Sequence, residues 1–213
     1  QRKVCENDKK GLSCMPIETT KGIKLWKEFR PIDSVGIYVP GGNAPLISSL
    51  LMQLIPARVA GCKNIILCTP PNNDGYISPE ILWIAKMYGI SDIYKVGGAQ
   101  AIAALAYGTK SIQNVDKIVG PGNSYVTEAK RQVFGNVGID SIAGPSEILV
   151  VSDKKSNPEW IAFDLLSQSE HDQEAQSILI TDDMNFAKKV ENFVKKILNT
   201  LPRKEIASAS WYN

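Results

Sequence analysis

A chain of 213 residues is long enough to bury a real core and suits one large domain or two small ones. With 44% hydrophobic and 22% charged side chains it is neither disordered nor fibrous, and its 24 basic and 22 acidic groups lack the clustered excess of a nucleic-acid binder. The apolar run 44–59 is broken by Ser48, Ser49, Gln53, Pro56 and Arg58 and is too short to cross a bilayer, and residues 1–10 are too polar for a secretory leader, so neither a membrane nor a nucleic acid is expected as partner.

Residues 1–30 show little periodicity and read as an extended or partly helical N-terminal arm. After them, short β-branched runs recur: Val35-Gly36-Ile37-Tyr38-Val39, Asn64 to Cys68, Asp92 to Val96, Lys117 to Val119, Ile148 to Val151 and Ser177 to Ile180. Each is short, mainly apolar and bounded by Gly, Pro, Asn or Asp, which suits strands buried on both faces of a parallel sheet. Helical patterns fill the intervals. Leu46, Ile47, Leu50, Leu51, Leu54 and Ile55 form a stripe that Gly61 is placed to end. Ser78-Pro79-Glu80 and Asn157-Pro158-Glu159 repeat one start signal: a capping side chain, proline in the first turn, then an acid. Phe186, Val190, Phe193, Val194, Ile197 and Leu198 form a last core stripe, stopped by Pro202. Alternating strands and helices predict an α/β fold of parallel sheets flanked by helices. Cys5, Cys14, Cys62 and Cys68 match no zinc knuckle and read as reduced thiols of a cytosolic protein, Cys62 and Cys68 serving as small hydrophobes.

Ligands in such sheets bind outside the carboxyl ends of the strands. Pro40-Gly41-Gly42-Asn43, Gly97-Gly98-Ala99-Gln100 and Gly120-Pro121-Gly122-Asn123 each follow a strand and precede a helix, and Gly144-Pro145-Ser146-Glu147 leads into the fifth strand. Glycine lets backbone N–H groups approach a ligand, and a helix N-terminus adds donors and partial positive charge, which favours a phosphate or carboxylate. One such turn needs glycine for connection alone; three in register point to a ligand. Neither the dinucleotide fingerprint G-x-G-x-x-G nor a P-loop occurs. The sole histidine, His171, follows Gln168 by three residues at the end of the helix begun at Pro158, with Asp164 a turn earlier. An imidazole and an amide oxygen at this spacing can contribute to a divalent metal site. The alternative is a histidine favoured by the helix C-terminal dipole.

These turns, with Arg30 to Gly42, Val96 to Leu105, Val119 to Asn123, Thr127-Glu128-Ala129-Lys130-Arg131-Gln132, Ala143 to Glu147 and Leu165 to His171, resemble histidinol dehydrogenase. The resemblance runs from about Arg30 to about Asp183. It implies two incomplete Rossmann-like, aldehyde-dehydrogenase-like units: residues 31–145 carrying the NAD-contact turns and 146–213 beginning the second. It implies a zinc-dependent cytoplasmic homodimer that oxidises L-histidinol through L-histidinal to L-histidine with NAD. By resemblance Tyr38, Gln100 and Asn123 are NAD contacts, Ser146 is a substrate contact, and Gln168 and His171 are zinc ligands that also touch substrate. The family's acid/base pair sits in a Gly-Pro-Glu-His motif that none of the 213 residues forms. The expectation is therefore a truncated chain without its own catalytic residues; the alternative is a non-catalytic remnant that binds NAD and zinc. A phosphate-handling transferase, the reading from pattern alone, lacks a Walker-type lysine.

Overall fold

The computed structural model of the chain describes residues 1–11, 16–41 and 46–212, with backbone alone for 7–11; Cys14, Gly42 and Asn43 lie outside the described residues. It folds as two units, Gln1–Ile142 and Ala143–Asn213. The first begins with helix α1 (Arg2–Gly11) and an antiparallel hairpin, β1 (Ile17–Thr20) and β2 (Ile23–Leu25). The arm is thus structured beyond expectation. Gly22, at φ +90°, turns the chain between strands only four and three residues long, too short for the alternation to register, and its N–H donates to the Glu18 carboxylate at 2.8 Å.

A five-stranded parallel sheet follows, built from β3 (Ser34–Tyr38), β4 (Asn64–Cys68), β5 (Ile93–Tyr94), β6 (Lys117–Val119) and β7 (Gly138–Ile139). The spatial order is β5-β4-β3-β6-β7. The chain starts in the middle, builds outward to one edge, then crosses back, so its topological switch point lies between β3 and β6. Helices α2 (Ile47–Ala60) and α3 (Pro79–Met87) cover one face, and α4 (Gly98–Tyr107) and α5 (Ser124–Val133) cover the other. The strand pattern explains this. Val35, Ile37 and Val39 join Leu50, Leu54, Ile81 and Ile84 in one core, while Tyr38, Ile66 and Cys68 join Ile102, Leu105 and Val126 in the other. Successive side chains serve opposite faces, so a strand between two helical layers reads as apolar throughout. Each fully buried Ile or Leu contributes about 1.5–3 kcal/mol of transfer free energy. Gly61 ends α2 in the left-handed region at φ 96°. Cys62 and Cys68 are buried among these side chains, and burial pushes the Cys68 thiol up to about 12, which keeps it protonated and inert.

The second unit pairs β8 (Glu147–Val151) with β9 (Gln176–Ile180) in parallel and packs them against α6 (Pro158–Ser169), α7 (Met184–Leu198) and α8 (Lys204–Tyr212). Helix α7 closes at Leu198, before the Pro202 stop, and α8 follows that proline. Here the expectation of strands buried on both faces fails. Ile148, Val150 and Leu179 face the helices, but Leu149, Val151, Ile178 and Ile180 are exposed. Leu149 stands opposite Ile178 and Val151 opposite Ile180, so these four form one apolar ladder that no helix covers among the described residues. No helix among the described residues is long and apolar enough to cross a membrane.

An open apolar sheet face promotes association. Replacing Val151 and Ile178 together by lysine should therefore reduce self-association of the chain, measured by sedimentation velocity, while leaving its melting temperature nearly unchanged. Unaltered association would place the sticky surface elsewhere.

Candidate active site

The strands of the first unit end level with one another. Tyr38 pairs with Cys68 across β3 and β4, and Ile37 with Val119 across β3 and β6. The connections beyond these ends crowd together. A Cβ on Gly41 would lie 2.5 Å from the Pro70 ring, and one on Gly97 2.6 Å from the same ring. Pro70, at the exit of β4, is thus wedged between the turns that leave β3 and enter α4. Only backbone fits on either side of it.

Tyr38, 4% exposed, lies beneath α4. Its hydroxyl oxygen accepts a hydrogen bond from the Gly98 N–H at 3.1 Å, so one of the unpaired donors of the α4 N-terminus is satisfied by the phenol. Burial raises the Tyr38 pKa, and the Gly98 N–H partly offsets this. The hydroxyl therefore keeps its own proton to donate. Gln100 is exposed on the first turn of α4, and its Oε1 stands 2.9 Å from where a Gly98 Cβ would be. Asn123 is the N-cap of α5: its Oδ1 accepts from the Val126 N–H at 3.2 Å, leaving its amide NH2 as the remaining polar group of the side chain.

Gly120 links these parts. At φ +133°, it sits so close to β3 that a Cβ would overlap the Tyr38 carbonyl oxygen. The structure therefore brings Tyr38, the Gln100 turn and the turn ending in Asn123 to one carboxyl-end rim, at the switch point between β3 and β6. Sequence reasoning missed the groups behind that rim. Gln53 of α2 has a buried Oε1 without a hydrogen-bond partner among the described residues, 2.9 Å from the would-be Gly120 Cβ. Lys130 and Asp140 hold the two peptide groups of Gly120. Each is distant in sequence from the glycine it touches, and no local pattern marks it. A separate cavity of about 680 Å³, lined by Arg2, Glu6, Ile55, Arg58, Met87 and Tyr88, opens along α2 and contains none of the rim residues.

In the second unit Asn157 caps α6, accepting from the Glu159 N–H at 2.9 Å as its start signal implies. The helix ends at Ser169, so His171 lies in the turn beyond it rather than on its face. A backbone bond, His171 N–H to the Gln168 carbonyl at 3.0 Å, joins the two residues. Gln168 has a buried Nε2 without a hydrogen-bond partner among the described residues, whereas His171 is exposed. Ser146 is exposed just before β8, and its carbonyl accepts from the Gln176 N–H at 3.1 Å. No group of three or more His, Cys, Asp or Glu side chains able to hold a metal occurs among the described residues. One imidazole and one amide oxygen fit part of a zinc site and leave it open.

Two substitutions test this geometry. Tyr38→Phe strands the Gly98 N–H and should cost about 1 kcal/mol, lowering the melting temperature by about 2–4 °C; an unchanged melting curve would show the bond to be idle. Gly120→Ala combines backbone strain with overlap on the Tyr38 carbonyl and should cost about 3 kcal/mol or more. Denaturant titration would refute the close approach if it found less than about 1 kcal/mol lost.

The family model for histidinol dehydrogenase matches residues 2–213. The histidinol dehydrogenase 1 of a Nostoc species is 59% identical over 194 residues, covering 91% of this chain and 45% of the relative. The histidinol dehydrogenase of Rhizobium meliloti is 56% identical over 194 residues, covering 91% of this chain and 44% of the relative. The chain thus spans about half the length of the curated relatives it matches. The crystal structure of histidinol dehydrogenase from Elizabethkingia anophelis superposes with a TM-score of 0.88 at 50% identity, over 98% of this chain and 49% of that one. An acetylating aldehyde dehydrogenase from Geobacillus thermoglucosidasius superposes at 0.54 with 15% identity, covering 92% of this chain and 45% of its own, a likeness of fold alone. Matched along nearly all its length, the chain belongs to the histidinol dehydrogenase family.

Proposed function

We propose that this chain is the nucleotide-binding part of an NAD- and zinc-dependent histidinol dehydrogenase, acting in the cytoplasm within a homodimer on the last steps of histidine biosynthesis. The reaction is the two-step oxidation of L-histidinol through L-histidinal to L-histidine. The observation that carries the reading is the glycine-walled rim at the β3/β6 switch point in a chain of this family. Backbone donors and two helix N-termini converge there, a surface suited to the negative charge of a dinucleotide.

In this reading Tyr38, Gln100 and Asn123 contact NAD, which when bound supplies the hydride acceptor for each step. The Tyr38 hydroxyl and the Asn123 amide each offer a donor at the rim, and Gln100 offers an amide on the exposed turn of α4. Ser146, Gln168 and His171 orient the substrate. Gln168 and His171 would also hold zinc, whose remaining ligands come from other residues of the whole protein. The unpartnered Gln168 amide supports a role for that side chain in a contact outside this unit's core. Proton transfer needs a base within hydrogen-bond reach of the substrate hydroxyl. The resemblance assigns that work to a Gly-Pro-Glu-His motif, which is not among these residues. A second reading is a remnant of the family that binds NAD and zinc without turnover.

Titration of the purified chain with NAD should show saturable binding that Asn123→Ala weakens. Histidinol-dependent NADH formation should be undetectable until the chain is mixed with the complementary half of the Nostoc relative. Turnover by the unmixed chain would overturn the division of labour. Binding without rescue would support the remnant, and no NAD binding would end both readings.

A further inference from the structure

Among the described residues of the first unit, Lys130 is the one charged side chain that is buried, 3% exposed. Its Nζ donates to the Gly120 carbonyl at 3.0 Å and is ion-paired with Asp140. The Asp140 carboxylate accepts in turn from the Gly120 N–H at 2.8 Å and from the Ser141 N–H at 2.8 Å. One ion pair therefore satisfies both peptide groups of the residue pressed against Tyr38. It also ties three elements together, since Lys130 comes from α5, Gly120 follows β6 and Asp140 follows β7.

Lys130 is buried and Asp140 reaches solvent; taking the ammonium out of water offsets much of the pair's attraction, so its value lies in fixing one geometry. Gly120 needs that. Its φ of +133° is open to glycine, yet glycine is also the residue that most readily leaves any one conformation. We propose that Lys130 and Asp140 are positioning residues that lock the Gly120 turn, and through it set the Asn123 cap and the α5 N-terminus in the orientation that receives the ligand's phosphates. The ligand half of this inference rests on the NAD reading; the locking half does not.

The test uses the chain as it stands, in two arms. Hydrogen exchange of Lys130→Met should show amides of residues 120–126 exchanging at least tenfold faster than in the unsubstituted chain, with β3 and β4 still protected. NAD titration should show affinity falling about tenfold, partly restored in Lys130→Arg. The double variant Lys130→Met with Asn123→Ala should bind no more weakly than the weaker single variant, because both act through one turn. Asp140→Asn, close in shape, serves if Lys130→Met does not fold. Unchanged exchange at 120–126, or a uniform rise across the sheet, overturns the locking role. Local loosening with unchanged affinity overturns the link to the ligand. If the unsubstituted chain binds no NAD, the NAD reading falls with the ligand half, and the exchange arm still decides the lock.

Discussion

The approach of Gly120 to the carbonyl of Tyr38 is the constraint on which the rim depends. Strand order reverses between β3 and β6, so the connections leaving these two strands diverge to opposite faces of the sheet. Divergence opens a crevice, and what lines it decides its use. Side chains at Gly41, Gly97 or Gly120 would collide with Pro70 or with the Tyr38 carbonyl. Backbone lines the crevice instead, and backbone beside two helix N-termini presents N–H groups. The preference for a negatively charged ligand follows from close packing before any side chain is considered.

Close packing also creates an obligation. A glycine turn drawn against a strand end buries its own peptide groups, and buried peptide groups need partners. Gly98 finds one in the Tyr38 hydroxyl. Gly120 finds two, in Asp140 and Lys130. The first is a neutral bond worth about 1 kcal/mol. The second is a charged bracket, and the desolvation it incurs is tolerable because every member is bonded. The rim is therefore supported by polar groups, of which Lys130 is buried and Asp140 reaches solvent.

The strands of the first unit were legible in sequence because two helical layers cover the sheet, and full burial writes itself as unbroken apolar runs. Asn64–Cys68 and Lys117–Val119 are matched to the residue. Helix starts at Pro79 and Pro158 were legible because proline acts locally; Asn157 caps its helix as expected, whereas Ser78 makes no cap bond and its hydroxyl donates to the Glu80 carboxylate instead. The hairpin of β1 and β2, the two-residue strand β7 and helix α8 were not, since short or exposed elements bury too little to impose a period. At the site, the glycines were visible because they act on their own backbone. Pro70, Gln53, Lys130 and Asp140 were hidden because what they touch is set by the fold. His171 shows the limit from the other side: helical spacing put it on a face, and the helix ended two residues earlier.

The two units differ in how self-contained their sites are. Every residue of the glycine-walled rim, from Tyr38 through Pro70 and Gly98 to Asp140, belongs to the first unit, whose sheet is covered on both faces. In the second unit one face of the sheet is uncovered by any helix among the described residues, and the metal ligands proposed for it are only two, Gln168 and His171 at the end of α6. A crevice made by one sheet's own turns needs no other element to take shape, whereas a tetrahedral metal centre needs donors from several elements at once. Of the proposed function, the anion-receiving rim is thus the part whose shape depends on one unit's own turns, whereas a metal centre is the part that depends on donors from several elements.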